Sequence, residues 1–325
     1  MRKKIVRSLL ALCVSAATIS VNAQPAIPRE YVEHPGYSMG IQFGMTDLWG
    51  DVGTQNFVDH YTNGKYFDQP CFMGGLFGRY TAHPMLAFRL GVSYGTLYAT
   101  DAWNEKKAKT AKSIEDDAFQ RYLRNQDIKV SMWEGLFQVE FMPFRSNSES
   151  RSAGWRLQPY LTVGIGGFYY TPFSTFIERN TGAKRWVKVG DLSLEGEGFE
   201  HDDPTPTYSQ KTSFWQVAVP AGLGLRYDLN RNMSLGIEYL YRFTGHDRLD
   251  NVSSEYVTPE YLDRYLSPEK AAVAKEMYDK SWAIDPSVKH EAWSKRGNKE
   301  VKDSYSTISI MFIYKFESNK IPWWF

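Results

Sequence analysis

The sequence predicts an all-β fold, a closed antiparallel up-and-down transmembrane barrel of about eight strands with long extracellular loops and a short helix in the last one. Three observations carry this. Apolar residues alternate with small or polar ones over segments long enough to cross a bilayer. The opposite faces of those segments collect glycines and charges. The connections between them alternate long and short.

The first alternating segment is Tyr37 to Met45, with apolar residues at the odd positions. A second lies near Cys71 to Thr81, and a third, Leu86 to Tyr98, sets Leu86, Phe88, Leu90, Val92 and Tyr94 on one face. The fourth, Ile128 to Phe144, opposes Trp133, Phe137, Val139 and Phe141 to Glu134, Gln138 and Glu140; its phase slips around Ser131, where a bulge is expected. The fifth runs Trp155 to Tyr169, the sixth Phe214 to Tyr227, the seventh Asn232 to Phe243 and the last Tyr305 to Phe316. Strands of soluble domains average ~5 to 6 residues, whereas a tilted transmembrane strand needs roughly 9 to 11. Length favours the membrane.

The faces opposite the apolar ones carry Gly40, Gly44, Gly75, Gly91, Gly95, Gly164, Gly166, Gly222, Gly224 and Gly236. They also carry Arg79, Arg89, Glu134, Glu140, Arg226, Glu238, Arg242 and Lys315, a candidate lumen charge network. A barrel of about eight strands has an interior just wide enough for side chains. Glycines leave room there for a few long charged groups, which must pair because little water is available. A soluble ligand-binding barrel would turn its apolar face inward instead.

The long connections are Thr46 to Gln69, Ala99 to Asp127, Thr171 to Lys211 and Thr244 to Ser304. The short ones are Ala82 to Pro84, Arg145 to Ala153 and Leu229 to Arg231. Outer-membrane barrels have this asymmetry, with short periplasmic turns and long extracellular loops, so both termini are expected in the periplasm. Tyr98, Trp155, Tyr169, Tyr170, Trp215, Tyr227, Tyr241 and Tyr314 near strand ends fit interfacial girdles, although aromatics favour strands in any case. In the last loop Ser267 suits an N-cap, Pro268 the first turn and Glu269 the positive end of a helix running to about Ser281, placed outside the membrane as a lid or presented to a partner.

The chain opens with basic Arg2, Lys3 and Lys4, continues through apolar Leu9 to Val14, and reaches small residues at Val21 to Ala23. That order is a cleavable secretory signal over residues 1–23, cut between Ala23 and Gln24, with the barrel domain spanning 24–325. The apolar stretch is too short for a membrane span, and bulky Leu12 opposes lipidation at Cys13. Losing Arg2, Lys3, Lys4 and Arg7, and no acid, takes the formal charge from +1 to −3, so no basic excess argues for nucleic acid. Cys71 remains alone, and no internal disulfide can staple the fold. A mean hydropathy of −0.45 excludes a helical membrane protein but suits a barrel, whose alternation keeps the average low.

No nucleotide fingerprint or metal-ligand spacing stands out, and no cofactor is expected. Gly164 to Gly167 lies inside a strand with no helix after it, which is no phosphate loop. His201, Asp202 and Asp203 could hold a divalent cation but read more readily as a solvated loop, and Asp247 and Asp250 suit Asx turns better than a metal. Among six histidines, His246 with Asp247 and Ser253 is the one arrangement a hydrolase could use; closeness in sequence does not make a catalytic triad. The expectation is no enzyme.

Several segments carry a resemblance. Pro159 to Gly166, Glu195 to Gly198, Val219 to Gly224, Glu238 with Arg242, Asp247 to Tyr256 and Arg296 to Asn298, with Glu134 and Glu140 in the fourth strand, resemble the PorG-type outer-membrane barrels of Bacteroidota, from about Gly40 to Phe316. Within the loop motif the matching residues are Asp247, Leu249, Asp250, Val252, Ser253 and Tyr256. Glu197 and His246 stand where glutamine and threonine are usual, and the loop after Ser253 is longer. The resemblance implies a non-enzymatic subunit of the type IX protein secretion and gliding machinery. Such a subunit sits among outer-membrane lipids and docks the periplasmic ring lipoprotein and its partner, PorK and PorN. A stand-alone barrel for adhesion or envelope integrity is the alternative, and a porin the next.

Overall fold

The computed structural model describes residues 35–53, 69–145, 156–200 and 211–316. The expected signal segment, its cleavage site at Ala23 and Gln24, Trp155 and the His201 to Asp203 cluster lie outside the described residues.

Among the described residues nine strands form: β1 (Gly36–Trp49), β2 (Phe72–His83), β3 (Leu86–Thr100), β4 (Asp127–Phe141), β5 (Leu157–Ile177), β6 (Lys184–Lys188), β7 (Trp215–Asp228), β8 (Met233–Thr244) and β9 (Ser304–Lys315). Every pairing is antiparallel. β1 pairs with both β2 and β9, and β4 with both β3 and β5, so the sheet closes into an eight-stranded barrel with β6 outside the ring. Closure removes the exposed edges that a chain in lipid could not satisfy. β6 is an addition that periodicity did not announce. It folds back on the far part of β5, from Phe173 opposite Lys188 to Ile177 opposite Lys184.

The strands of the ring run from 12 residues in β2 to 21 in β5, so several extend past a bilayer that takes roughly 9 to 11. The overhang is at the long-loop end. It explains why no bulge occurs at Ser131: the β3–β4 ladder runs unbroken from Thr100 opposite Asp127 to Leu86 opposite Phe141. The inward parity of β4 never changes. What changes is the lining, which is charged beside the lipid and apolar (Ile128, Val130, Met132) where the strand rises out of it. The register shift seen in this part of the barrel is instead at Thr81 and His83, beside a short turn.

The outward face is an apolar belt. Leu76, Ile310 and Leu90 are 67%, 65% and 64% exposed, and their neighbours Ile41, Val92, Ile165, Val217 and Ile237 face the same way. A continuous patch of this kind is covered by lipid. Aromatic pairs mark its two rims. Tyr169 with Trp215 (5.2 Å) and Tyr94 with Trp133 (4.8 Å) lie toward the long loops, and Tyr37 with Tyr80 (4.9 Å) toward the short turns. Tyr170 leaves the girdle proposed for it: its even position in β5 turns it inward, where it is fully buried.

The main apolar core sits at the long-loop end rather than midway along the barrel. Leu97, Ala99, Ile128 and Phe168 from the strands meet Trp103, Val189, Leu194, Leu249, Val252 and Tyr256 from the loops. Among the described residues four α-helices join this cap: α1 (Glu105–Ala108), α2 (Asp117–Arg124), α3 (Pro259–Tyr265) and α4 (Pro268–Met277). Asp116 caps α2 by accepting from the Ala118 amide at 2.9 Å, and Asn125 closes it in the left-handed conformation. The helix expected after Ser267 forms with Pro268 in its first turn but ends at Met277. Its Ala271, Ala274 and Met277 are buried, so the helix packs onto the cap. Beyond it Lys280 is pinned to the barrel rim, donating to Asp127 at 2.5 Å and Ser174 at 3.0 Å.

Candidate functional site

All seven arginines and glutamates expected in the lumen are inside it, none more than 2% exposed. They form two tiers. In the upper one, Arg242 on β8 grips Glu134 on β4 with both Nε and Nη2 at 3.0 Å, and the Tyr305 hydroxyl donates to the same carboxylate at 2.5 Å. In the middle tier Glu140 accepts from Arg79 at 2.7 Å and Arg226 at 2.8 Å, with Arg89 Nε at 3.4 Å. Arg89 also donates to Glu238 at 2.5 Å, where the Tyr160 hydroxyl arrives at 2.9 Å.

Arg79 and Arg89 face each other directly across β2 and β3, a repulsive arrangement for two cations. Glu140, on the next strand, lies against both and cancels it. Tyr160 reaches Glu238 because its cross-strand partner is Gly224; a Cβ there would stand 2.4 Å from the Tyr160 ring. The eighth expected member, Lys315, belongs to a separate cluster at the short-turn end. It donates to Asp228 at 2.7 Å, beside Arg145 at 2.9 Å and Ser234 at 2.6 Å. Sequence reading missed Tyr160, Tyr305, Asp228 and Arg145. The inward parity of β5 and β9 marks the two tyrosines, but nothing local marks Arg145, which follows its strand.

At the other end, segments far apart in the chain meet. Arg124 donates to both oxygens of Asp101 at 2.8 Å, to the Asp51 carbonyl at 2.7 Å and to the Arg296 carbonyl at 2.7 Å. The Arg296 guanidinium reaches Glu195 at 2.8 Å, and Glu195 also accepts from the amides of Ser253 at 2.9 Å and Ser254 at 3.0 Å. Arg248 bridges Glu195 and Glu197. Burial alone would raise both carboxyls. Arg296 and Arg248 hold Glu195 below its usual value, whereas for Glu197 burial, with repulsion from Glu195, outweighs Arg248 and the backbone amides and keeps it raised.

Every residue of the loop motif is buried: Asp247, Leu249, Asp250, Val252, Ser253 and Tyr256. Asp250 makes the expected Asx turn, accepting from the Val252 amide at 2.9 Å, and also takes the Val52 amide at 2.8 Å. Asp303 accepts from the Leu249 amide at 2.7 Å. Gly50 lets these acids approach, since a Cβ there would lie 2.5 Å from Asp250 and 2.6 Å from Asp303. Burial and the neighbouring Asp51 push Asp250 up to about 7. Burial pushes Asp247 up to about 6, although the Ser253 hydroxyl donates to it. His246 is pushed down to about 4 by burial and by Arg248 and Lys302, so its imidazole is neutral.

His246, Asp247 and Ser253 therefore lie together but not as a triad. The Ser253 hydroxyl is committed to Asp247 at 2.7 Å, and the imidazole meets the Tyr170 hydroxyl at 2.6 Å. A serine nucleophile needs the imidazole on its own hydroxyl. Beside these residues is a cavity of about 440 Å³, walled by His246, Asp247, Ser253, Trp293 and Lys302 among others.

A closed barrel with an apolar outer belt, an ion-paired lumen and capping loops at one end is the construction of an outer-membrane β-barrel protein. The profile of the outer membrane protein beta-barrel domain family matches residues 9–256, and the chain belongs to that family. No curated protein matches it. Among solved structures, it is similar to the attachment invasion locus protein Ail of Yersinia pestis in complex with the heparin analogue sucrose octasulfate (10% identity, 87% of this chain and 100% of that one covered, TM-score 0.35). It is also similar to Neisserial surface protein A (8% identity, 87% and 100% covered, TM-score 0.37) and to a major outer membrane protein of Thermus thermophilus (13% identity, 86% and 100% covered, TM-score 0.35).

Proposed function

We propose that the protein is a non-enzymatic outer-membrane component of the type IX secretion and gliding machinery of Bacteroidota, anchoring or docking the periplasmic ring. In this reading residues 1–23 are a removed signal, both termini and the short turns face the periplasm, and the cap is extracellular. The observation that carries it is the convergence of Glu195 to Gly198, Asp247 to Tyr256 and Arg296 to Asn298, the segments of the family resemblance, on one buried ion cluster. The filled lumen opposes a conducting role, because the middle tier crosses the barrel from Arg79 to Glu238.

Detergent extraction and affinity capture of the full chain test this. The expected result is co-recovery of a periplasmic ring lipoprotein and its partner, the PorK and PorN type, with loss of bulk protein secretion on gene deletion. Repeated recovery of the barrel alone with secretion intact, or a stable large conductance in planar bilayers, refutes it.

A further inference from the structure

We infer that the cavity in the cap is a binding site for an acidic sugar residue. Its volume, about 440 Å³, lies within the range of small-ligand sites. Its wall is mainly polar, and Trp293 is one of its residues, on a backbone at φ 68°. A bulky side chain is costly in that conformation and is kept there only when its surroundings over-determine it. Here the Trp293 amide donates to the Tyr256 carbonyl at 2.8 Å, which holds the backbone of this wall residue in place. Such strain collects at ligand sites.

The chemistry of the wall selects the ligand. Trp293 brings an aromatic side chain to this wall, and aromatic rings suit the C–H face of a pyranose. Around it are groups that bond hydroxyls. Asp247 is 7% exposed, its Oδ2 accepts from Ser253, and its Oδ1 is buried without a partner. Neutral His246 can donate or accept at the ring nitrogen that does not face Tyr170. A ligand carrying both donors and acceptors satisfies these groups, and a hydrocarbon does not. The wall carries more cations than acids: with Arg248 neutralised by Glu195 and Glu197, Lys211, Lys299 and Lys302 stand against Asp247 and Glu255. Hydroxyl partners and ammonium groups in one wall together describe a sugar bearing a carboxylate. This site stands independently of what the periplasmic end docks.

The test is calorimetry on the purified full-length protein in detergent with D-glucuronate, D-glucose and acetate as probes. Glucuronate is expected to bind saturably and about ten-fold more tightly than glucose, the size of one charge-assisted hydrogen bond, with acetate weaker than both. Trp293→Gly accepts the backbone angle without strain and removes the ring. It should weaken glucuronate about ten-fold while the heat-modifiable gel shift of the barrel is unchanged. Lys299→Gln with Lys302→Gln should erase most of the advantage over glucose. The inference is overturned by absent glucuronate binding, by acetate binding as tightly as glucuronate, by equal affinity for glucose and glucuronate, or by Trp293→Gly binding like the parent.

Discussion

Glu140 is the residue whose loss should be felt most inside the barrel. It has no exposed surface and answers three guanidinium groups, Arg79 at 2.7 Å, Arg226 at 2.8 Å and Arg89 at 3.4 Å. Each such pair is worth roughly 4 kcal/mol of gross attraction at an effective dielectric constant near 20, much of it cancelled by desolvation and by repulsion among the three cations. Removing the shared anion abolishes the attraction and leaves the repulsion. Glu140→Gln keeps the shape of the side chain and loses its charge, so the expected cost is about 3 to 5 kcal/mol, that of breaking a buried pair. Arg89 keeps its ion pair with Glu238. Urea unfolding of the barrel in detergent, followed by heat-modifiability on gels, reads this as a lower midpoint. Arg79→Met should cost clearly less in the Glu140→Gln background than in the parent, a coupling of about 0.5 to 3 kcal/mol. Strictly additive losses, or a loss under about 1 kcal/mol for Glu140→Gln, would show that the tier is not the shared-anion cluster described.

Three further outcomes follow from the same structure. Leu76→Arg, near the middle of the lipid-facing belt, should destabilise folding into vesicles by about 2 to 4 kcal/mol, whereas a barrel whose apolar side faced inward would tolerate it. Gly224→Val should cost about 1 to 3 kcal/mol by colliding with Tyr160, with partial rescue by Tyr160→Ala in the same unfolding assay. The cap should respond to pH. Asp247 at about 6 and Asp250 at about 7 bind protons in the folded state that the unfolded chain, with values near 3.8, has already released. Their contribution is full below about pH 4, falls as pH rises and is gone above about pH 7. His246, depressed from 6.5 to about 4, acts the other way, losing stability as pH falls through that interval. The carboxylates outnumber it, so amide-exchange protection of the cap should fall about ten-fold or more between pH 5 and pH 8. Asp250→Asn should flatten that response, and an unchanged profile counts against the buried acid cluster.

Much of the barrel was legible because its signal is local. Period-two alternation places Leu76, Leu90 and Ile310 outward and Arg89, Glu140 and Glu238 inward without knowledge of any partner strand. The same rule misled at Ser131, where the apolar residues moved to the inner face because the strand had left the lipid. It misled at Tyr170 too, where aromatic character near a strand end outweighed the parity that turns the ring inward. The cap was hardly legible. The loop motif marked Asp247 to Tyr256, but Arg124, Asp101 and Asp51 carried no pattern tying them to it.

By itself, then, the sequence determined that this chain makes long two-faced strands, which face meets lipid, and which charges the interior must hold, since each depends on residues within one strand. Which ions pair was decided only in three dimensions. Arg242 meets Glu134 across the lumen from a strand that is not its neighbour, and Arg296 finds Glu195 from 101 positions away. Such contacts exist only once the ring has closed and fixed the distances between strands, and no periodicity along a chain encodes a distance across it.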